Sequence, residues 1–267
     1  MCNGKKLCFV LILLLTVVFR VMTSAAEDDV LNWYCPKSRA HQQPIADAPM
    51  RVIEQYNGYY IDSKHNETTT DRVIYLTFDA GYENGNVEKI LDVLKSEHVS
   101  GAFFVLGNLI QRNPELIRRM SEEGHLVCNH TYHHKDMTKI DKISEFKEEL
   151  ESLERLYEET TGKKMAKYYR PPEGKFDERS LRFASELGYK TVFWSLAYAD
   201  WDNQNQPSAE RAKAKIFERI HNGAVILLHP TSKTNAEILK DVITTLKDQG
   251  YRFGTLDELT AGVNEES

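Results

Sequence analysis

From Arg72 onward the chain alternates between two hydrophobic rhythms. Short, nearly continuous apolar runs ("RVIYLTF", "GAFFVL", "HLVCNH", "KYYR", "YKTVFWS", "AVILLH", "YRFGTL") have the length and the β-branched and aromatic content of buried strands. Between them lie stretches with one apolar face. Val87, Ile90, Leu91 and Leu94 follow i, i+3, i+4, i+7, and Phe146, Leu150, Leu153 and Tyr157 keep helical spacing across 144–161. Pro114 and Gly124 bracket the helix "PELIRRMSEEG"; Thr234 with Glu237 reads as a capping box for a last long helix that Gly250 stops. About seven strands separated by helices predict an α/β fold with a parallel sheet, either open or closed into a barrel.

Upstream the rhythm is lost. Residues 27–70 hold Trp33, Tyr34, Pro36, Pro44 and Pro49 without sustained periodicity, and are expected to form an irregular N-terminal arm wrapped on the domain. Before them, Lys5 and Lys6 precede an apolar run at 7–19, and Ser24, Ala25 and Ala26 offer a cleavage site, so 1–26 reads as a secretory signal peptide. The run is shorter than the roughly 20 residues of a membrane span; an uncleaved anchor is the alternative. The protein is therefore expected to be exported, extracytoplasmic or cell-wall associated, and membrane-anchored if the signal stays.

The formal net charge is −6; without residues 1–26 it becomes −9, from 31 basic and 40 acidic residues. An acidic chain with no dense Lys/Arg cluster is not a nucleic-acid or anionic-membrane binder, and suits a neutral or cationic substrate. Only Cys35 and Cys128 lie outside the signal segment. Export would permit a disulfide between them, whereas the apolar strand around Cys128 favours a buried free thiol.

Polar residues gather where the strands end. Asp79 follows "IYLTF", His130 follows "HLVCN", Arg170 follows "KYY", Asp200 comes shortly after "TVFWS", and His229 follows "AVILL". The C-terminal ends of parallel strands are where catalytic groups and ligands meet in such folds. In "HTYHH", one helical turn would bring His130 and His134 onto one face, near enough to share a metal; the alternative is a hydrogen-bonded pair. His125 begins its strand and belongs at the opposite end, and His133 would point about 100° from His134 on a helix. Asp79 is the candidate general base, with Arg170 to hold it ionised. His229 is the candidate acid, with Asp200 to fix its tautomer.

"TFDAG", "HTYHH", "RPPEG", "ADW" and "LLH", in this order, closely resemble the five motifs of the polysaccharide deacetylases, the NodB-homology group or carbohydrate esterase family four, over roughly 72–259. "LTFDAGYENG", "FWSLAYADWD", "HNGAVILLH" and "NGYYI" are most similar to the delta-lactam-biosynthetic de-N-acetylases. Those remove acetyl from N-acetylmuramic acid in spore-cortex peptidoglycan, leading to muramic δ-lactam. The resemblance implies a distorted (β/α)7-type barrel of parallel strands, a deacetylase domain at 71–261 and a short tail at 262–267. It implies Asp79 as base, Arg170 as its orienter, His229 as acid tuned by Asp200, and His130 and His134 as ligands of a divalent metal, most often zinc. It further implies the backbone N–H of Glu173 as an oxyanion donor, and Trp201 and Leu227 as walls for the acetyl methyl. A peptidoglycan glycan strand is the implied partner, with no protein partner and a monomeric chain. Most of the family has a second, metal-ligating aspartate where this sequence has Ala80. Either water completes the shell or Glu83 replaces the carboxylate; water is favoured because Glu83 lies beyond the turn at Gly81. The alternatives are a deacetylase of N-acetylglucosamine in peptidoglycan or chitin, one acting on acetylxylan, and an inactive glycan-binding module.

Overall fold

The computed structural model describes residues 29–38 and 40–262. The expected signal segment 1–26 and residues 263–267 of the expected tail lie outside the described residues. Ten strands are present among them: β1 (Leu31–Asn32), β2 (Gly58–Tyr59), β3 (Arg72–Ala80), β4 (Ala102–Val105), β5 (Leu126–Asn129), β6 (Tyr168–Tyr169), β7 (Lys175–Phe176), β8 (Lys190–Val192), β9 (Ala224–Leu228) and β10 (Tyr251–Gly254).

The central strand is β3, which pairs in parallel with β10 at its start, with β4 at its end and with β9 along its middle. From β4 the sheet continues through β5, β6 and β8, all parallel. It then curls back on itself. Leu196, just past β8, forms a parallel bridge with Ile226 of β9, and Leu227 N–H donates to the Leu196 carbonyl at 2.9 Å. The seven parallel strands β3, β4, β5, β6, β8, β9 and β10 thus make a distorted (β/α)7-type barrel with helices around it.

The period of two in β3 decides what faces what. Ile74, Leu76 and Phe78 pack outward with Ile90, Leu91 and Leu94 of helix Val87–Ser96. Val73 and Tyr75 face the barrel interior with Phe104, Cys128 and Val225. Thr77 and Asp79 continue that inward file, so the same alternation that fills the barrel delivers a carboxylate to its mouth. Helix Ile143–Thr161 buries Phe146, Leu150, Leu153 and Tyr157, as the spacing predicts. The last long helix, Lys233–Asp248, is capped differently from expectation: Ser232 accepts from Asn235 N–H, while the Thr234 hydroxyl donates to the Pro207 carbonyl.

The arm, irregular for most of its length, is fastened by short regular pieces. Strand β1 pairs antiparallel with β7, a 3₁₀ helix covers Ala48–Tyr56, and β2 extends the sheet in parallel beside β8. Trp33 stacks on Phe193 at 4.6 Å between ring centroids. Cys35 and Cys128 are both free thiols, the second fully buried in the barrel interior.

Candidate active site

Arg170 leaves β6 and is completely buried. Its Nη1 donates to Asp79 Oδ1 at 2.7 Å, its Nη2 to Thr77 Oγ1 at 3.0 Å and its Nε to the Val192 carbonyl at 2.8 Å. The Phe104 ring lies beneath the guanidinium, 4.1 Å away. A buried cation this fully partnered cannot swing, so it fixes the carboxylate beside it. Burial pulls the Asp79 pKa upward, but the charge and hydrogen bond of Arg170, with the charge of His229 behind them, hold the carboxyl below its usual value.

His130 Nδ1 lies 2.8 Å from the Arg170 carbonyl, which can only accept, so this nitrogen carries the proton. Nε2 is left as a lone pair 3.7 Å from Asp79 Oδ2, too far for a hydrogen bond. Burial lowers the His130 pKa to about 4, so the ring is neutral at pH 7. The His134 ring stands nearly perpendicular to it at 5.1 Å between centroids. The two rings do meet, but not through a helical turn. Thr131 and His134 adopt left-handed backbone (φ 73° and 58°), because side chains capture the N–H groups a helix would use. Asn129 Oδ1 accepts from Thr131 N–H, and Thr131 Oγ1 from His134 N–H, both at 2.9 Å. His133 is drawn the other way, its N–H donating to buried Glu149 at 2.6 Å.

His229 sits immediately after β9. Its Nδ1 donates to Asp200 Oδ1 at 2.7 Å and its main-chain N–H to Oδ2 at 2.8 Å. Asn235 Nδ2 adds a third bond to Oδ2 at 2.6 Å and binds the His229 carbonyl at 3.0 Å, while the Tyr198 hydroxyl donates to Asn235 Oδ1. Burial lowers the His229 pKa, but the Asp200 bond and charge, with Asp79 behind them, raise it overall. Nε2 is the free ring nitrogen.

Asp79, His130, His134 and His229 line one cavity of about 770 Å³, together with Glu173, Trp201 and Leu227; Arg170 and Asp200 stand directly behind. Glu173 is itself left-handed (φ 59°). Trp201 is 63% exposed, its ring 6.3 Å from that of His229. Every residue proposed from sequence is therefore gathered here. Ala80 is fully buried and offers no donor, and the Glu83 carboxylate folds back to accept from Gly85 N–H. For a divalent ion the donor chemistry fits: a neutral imidazole lone pair faces a carboxylate oxygen with no proton between them, and a second imidazole stands alongside. The one trio of His and acidic donor atoms within 4.8 Å of one another among the described residues is instead His65, Asp71 and Glu258, where β3 begins. Arg252 already binds both of its carboxylates there.

Asn235, Tyr198 and Glu149 were not foreseen, since in sequence each is one polar residue among many. Thr77 could have been read from the inward file that ends in Asp79. The arm residues Trp33, Tyr34 and Cys35, which also line the cavity, carried no positional signal.

Comparison with known proteins agrees with this geometry. A family model described as polysaccharide deacetylase matches residues 66–192, which hold Asp79, His130, His134, Arg170 and Glu173. The chain is 43% identical to peptidoglycan-N-acetylmuramic acid deacetylase PdaA of Bacillus subtilis over 88% of each sequence. The solved structure of that protein, a family 4 carbohydrate esterase, superposes with a TM-score of 0.81 over 87% of this chain and 97% of that one. A family 4 carbohydrate esterase from Bacillus anthracis, 38% identical, superposes with a TM-score of 0.72 over 88% of this chain and 98% of that one.

Proposed function

The chain belongs to the polysaccharide deacetylase family, and from that premise we infer that it is a hydrolase removing the acetyl group from N-acetylmuramic acid residues of peptidoglycan. One observation carries the reading: Asp79 and His229 face one cavity from adjacent strands, each locked by a partner of opposite charge. A binding module has no use for such an acid and base pair.

In this reading Asp79 takes a proton from water as the water oxygen adds to the acetamide carbon. Arg170 keeps Asp79 ionised, but the same contact makes it a weak base. A divalent ion on His130 and His134, zinc by the resemblance, would supply the Lewis acidity that makes the water easier to deprotonate. The Arg170 carbonyl holds the His130 tautomer that leaves Nε2 free to ligate. The Glu173 backbone N–H is the proposed oxyanion donor, and Trp201 and Leu227 wall the acetyl methyl. When the carbon–nitrogen bond breaks, its electron pair stays on nitrogen, which takes the proton from His229 Nε2 and leaves as the free amine beside acetate. Asp200 steadies the imidazolium until that transfer.

Residues 71–261 would be the catalytic domain of an exported monomer working on a glycan strand, and its product would lead to muramic δ-lactam in spore cortex. The substrate supports an extracytoplasmic site, and the resemblance in "FWSLAYADWD" supports the lactam. Acetate release from de-peptidylated muramic glycan tests the reading, with Asp79→Asn and His229→Ala abolishing it. Release from chitin oligomers alone would move the substrate to N-acetylglucosamine, and none from either would leave a glycan-binding module.

A further inference from the structure

We propose that the N-terminal arm builds a second sugar position beside the reacting one, with Tyr34 as the face on which a neighbouring N-acetylhexosamine of the same strand stacks. This position presupposes the deacetylase reading and gives it a requirement for chain length.

The arm is fixed to both walls of the catalytic cavity. Trp33 N–H donates to the Gly174 carbonyl at 2.8 Å and Trp33 Nε1 to the Trp194 carbonyl at 2.9 Å. Cys35 Sγ accepts from Ala197 N–H at 3.3 Å and lies 3.2 Å from the Ser195 carbonyl. Arm and loop fit so closely that a Cβ on Gly174, at φ +66°, would lie 2.8 Å from the Trp194 ring and 3.1 Å from Trp33 Cβ. Trp33 is buried, so the next side chain turns outward. Tyr34 is 38% exposed, with its hydroxyl accepting from Asp47 N–H at 3.3 Å, which tethers the far end of the ring.

Large exposed apolar side chains are few among the described residues: Val30, Tyr34, Ile45, Tyr82 and Trp201. Tyr34 and Trp201 both border the cavity, and Tyr82 is hydrogen-bonded to Asn203, two residues beyond Trp201. A flat aromatic face matches the C–H face of a pyranose, and an aromatic body with a polar tip suits a half-wet position. A cavity of about 770 Å³ is also sized for a ligand larger than one sugar.

The test is binding and KM for de-peptidylated glycans of one and four sugars, using the full chain. Tyr34→Ala should raise Kd and KM for the tetrasaccharide about tenfold, about 1.4 kcal/mol, and change those for the monosaccharide by less than about twofold. Tyr34→Phe should restore the parent value. Tyr34→Leu, apolar but without a flat face, should behave as Ala does, with unchanged melting temperature showing that the arm is still seated. Equal losses on both glycans, no loss on either, or a loss seen only with peptide-bearing glycan would overturn the assignment. Absence of acetate release by the unsubstituted protein would sink the deacetylase reading and still leave the Kd comparison to judge Tyr34.

Discussion

Replacing Asp200 by Asn tests the acid half of the site with almost no change in volume. Asp200 Oδ2 accepts from His229 N–H and from Asn235 Nδ2, so the Asn carbonyl must take that place and its NH2 must face His229 Nδ1. Two donors would then meet at 2.7 Å unless His229 moves its proton to Nε2. The ring would be neutral and in the wrong tautomer to be recharged. Loss of the Asp200 charge and its hydrogen bond removes what holds the His229 pKa up, so that pKa should fall. Since positioned acids contribute about 10²–10⁴ in rate, kcat should fall about 10²-fold with KM little changed. The assay is acetate release between about pH 5 and about pH 9, where the alkaline limb of the parent profile should move to lower pH in the variant. An unmoved alkaline limb, or a loss confined to KM, would refute the acid assignment.

Arg170→Met strands a carboxylate with no cation behind it; about 3–5 kcal/mol of stability should be lost in urea titrations, and the acidic limb of any residual activity should move to higher pH as the Asp79 pKa rises. His125, His130 and His221 are each held by burial at about 4, below the value of 6.5 they regain on unfolding. The unfolded chain therefore binds protons that the folded chain refuses, and stability should be full above about pH 6.5 and fall as pH drops toward 4; a flat melting temperature across that window would contradict it. Glu83→Gln should leave zinc affinity within about twofold by calorimetry, since Glu83 bonds to its own loop, whereas His134→Ala, which removes a ligand, should weaken it by more than the about 10–100-fold that loss of an outer partner costs; a carboxylate of Glu83 on the metal after zinc soaking would contradict the first half.

What could be read from the sequence followed from periodicity. The file Val73, Tyr75, Thr77, Asp79 is a two-residue repeat, and it places Asp79 at the barrel mouth as surely as it places Tyr75 in the core. The His130 and His134 pairing was legible, but its means was not. Spacing suggests a helical turn, whereas Asn129, Thr131 and Glu149 hold an irregular loop through contacts spread over twenty residues, which no local pattern reports. The cap at Ser232 and the seating of the arm likewise depend on tertiary partners, Gln206 for the one and Trp194 for the other.

The barrel is stitched shut between Leu196 and Ile226 by a short run of backbone bonds. Asp200 belongs to one lip of that seam and His229 to the other, while Asp79 and Arg170 lie across uninterrupted sheet. Were that seam to open, the proton donor would part from its guide while the opposing carboxylate stayed in place. Turnover would then be lost before the surrounding architecture, and a thermostable version would begin by reinforcing those few lip residues.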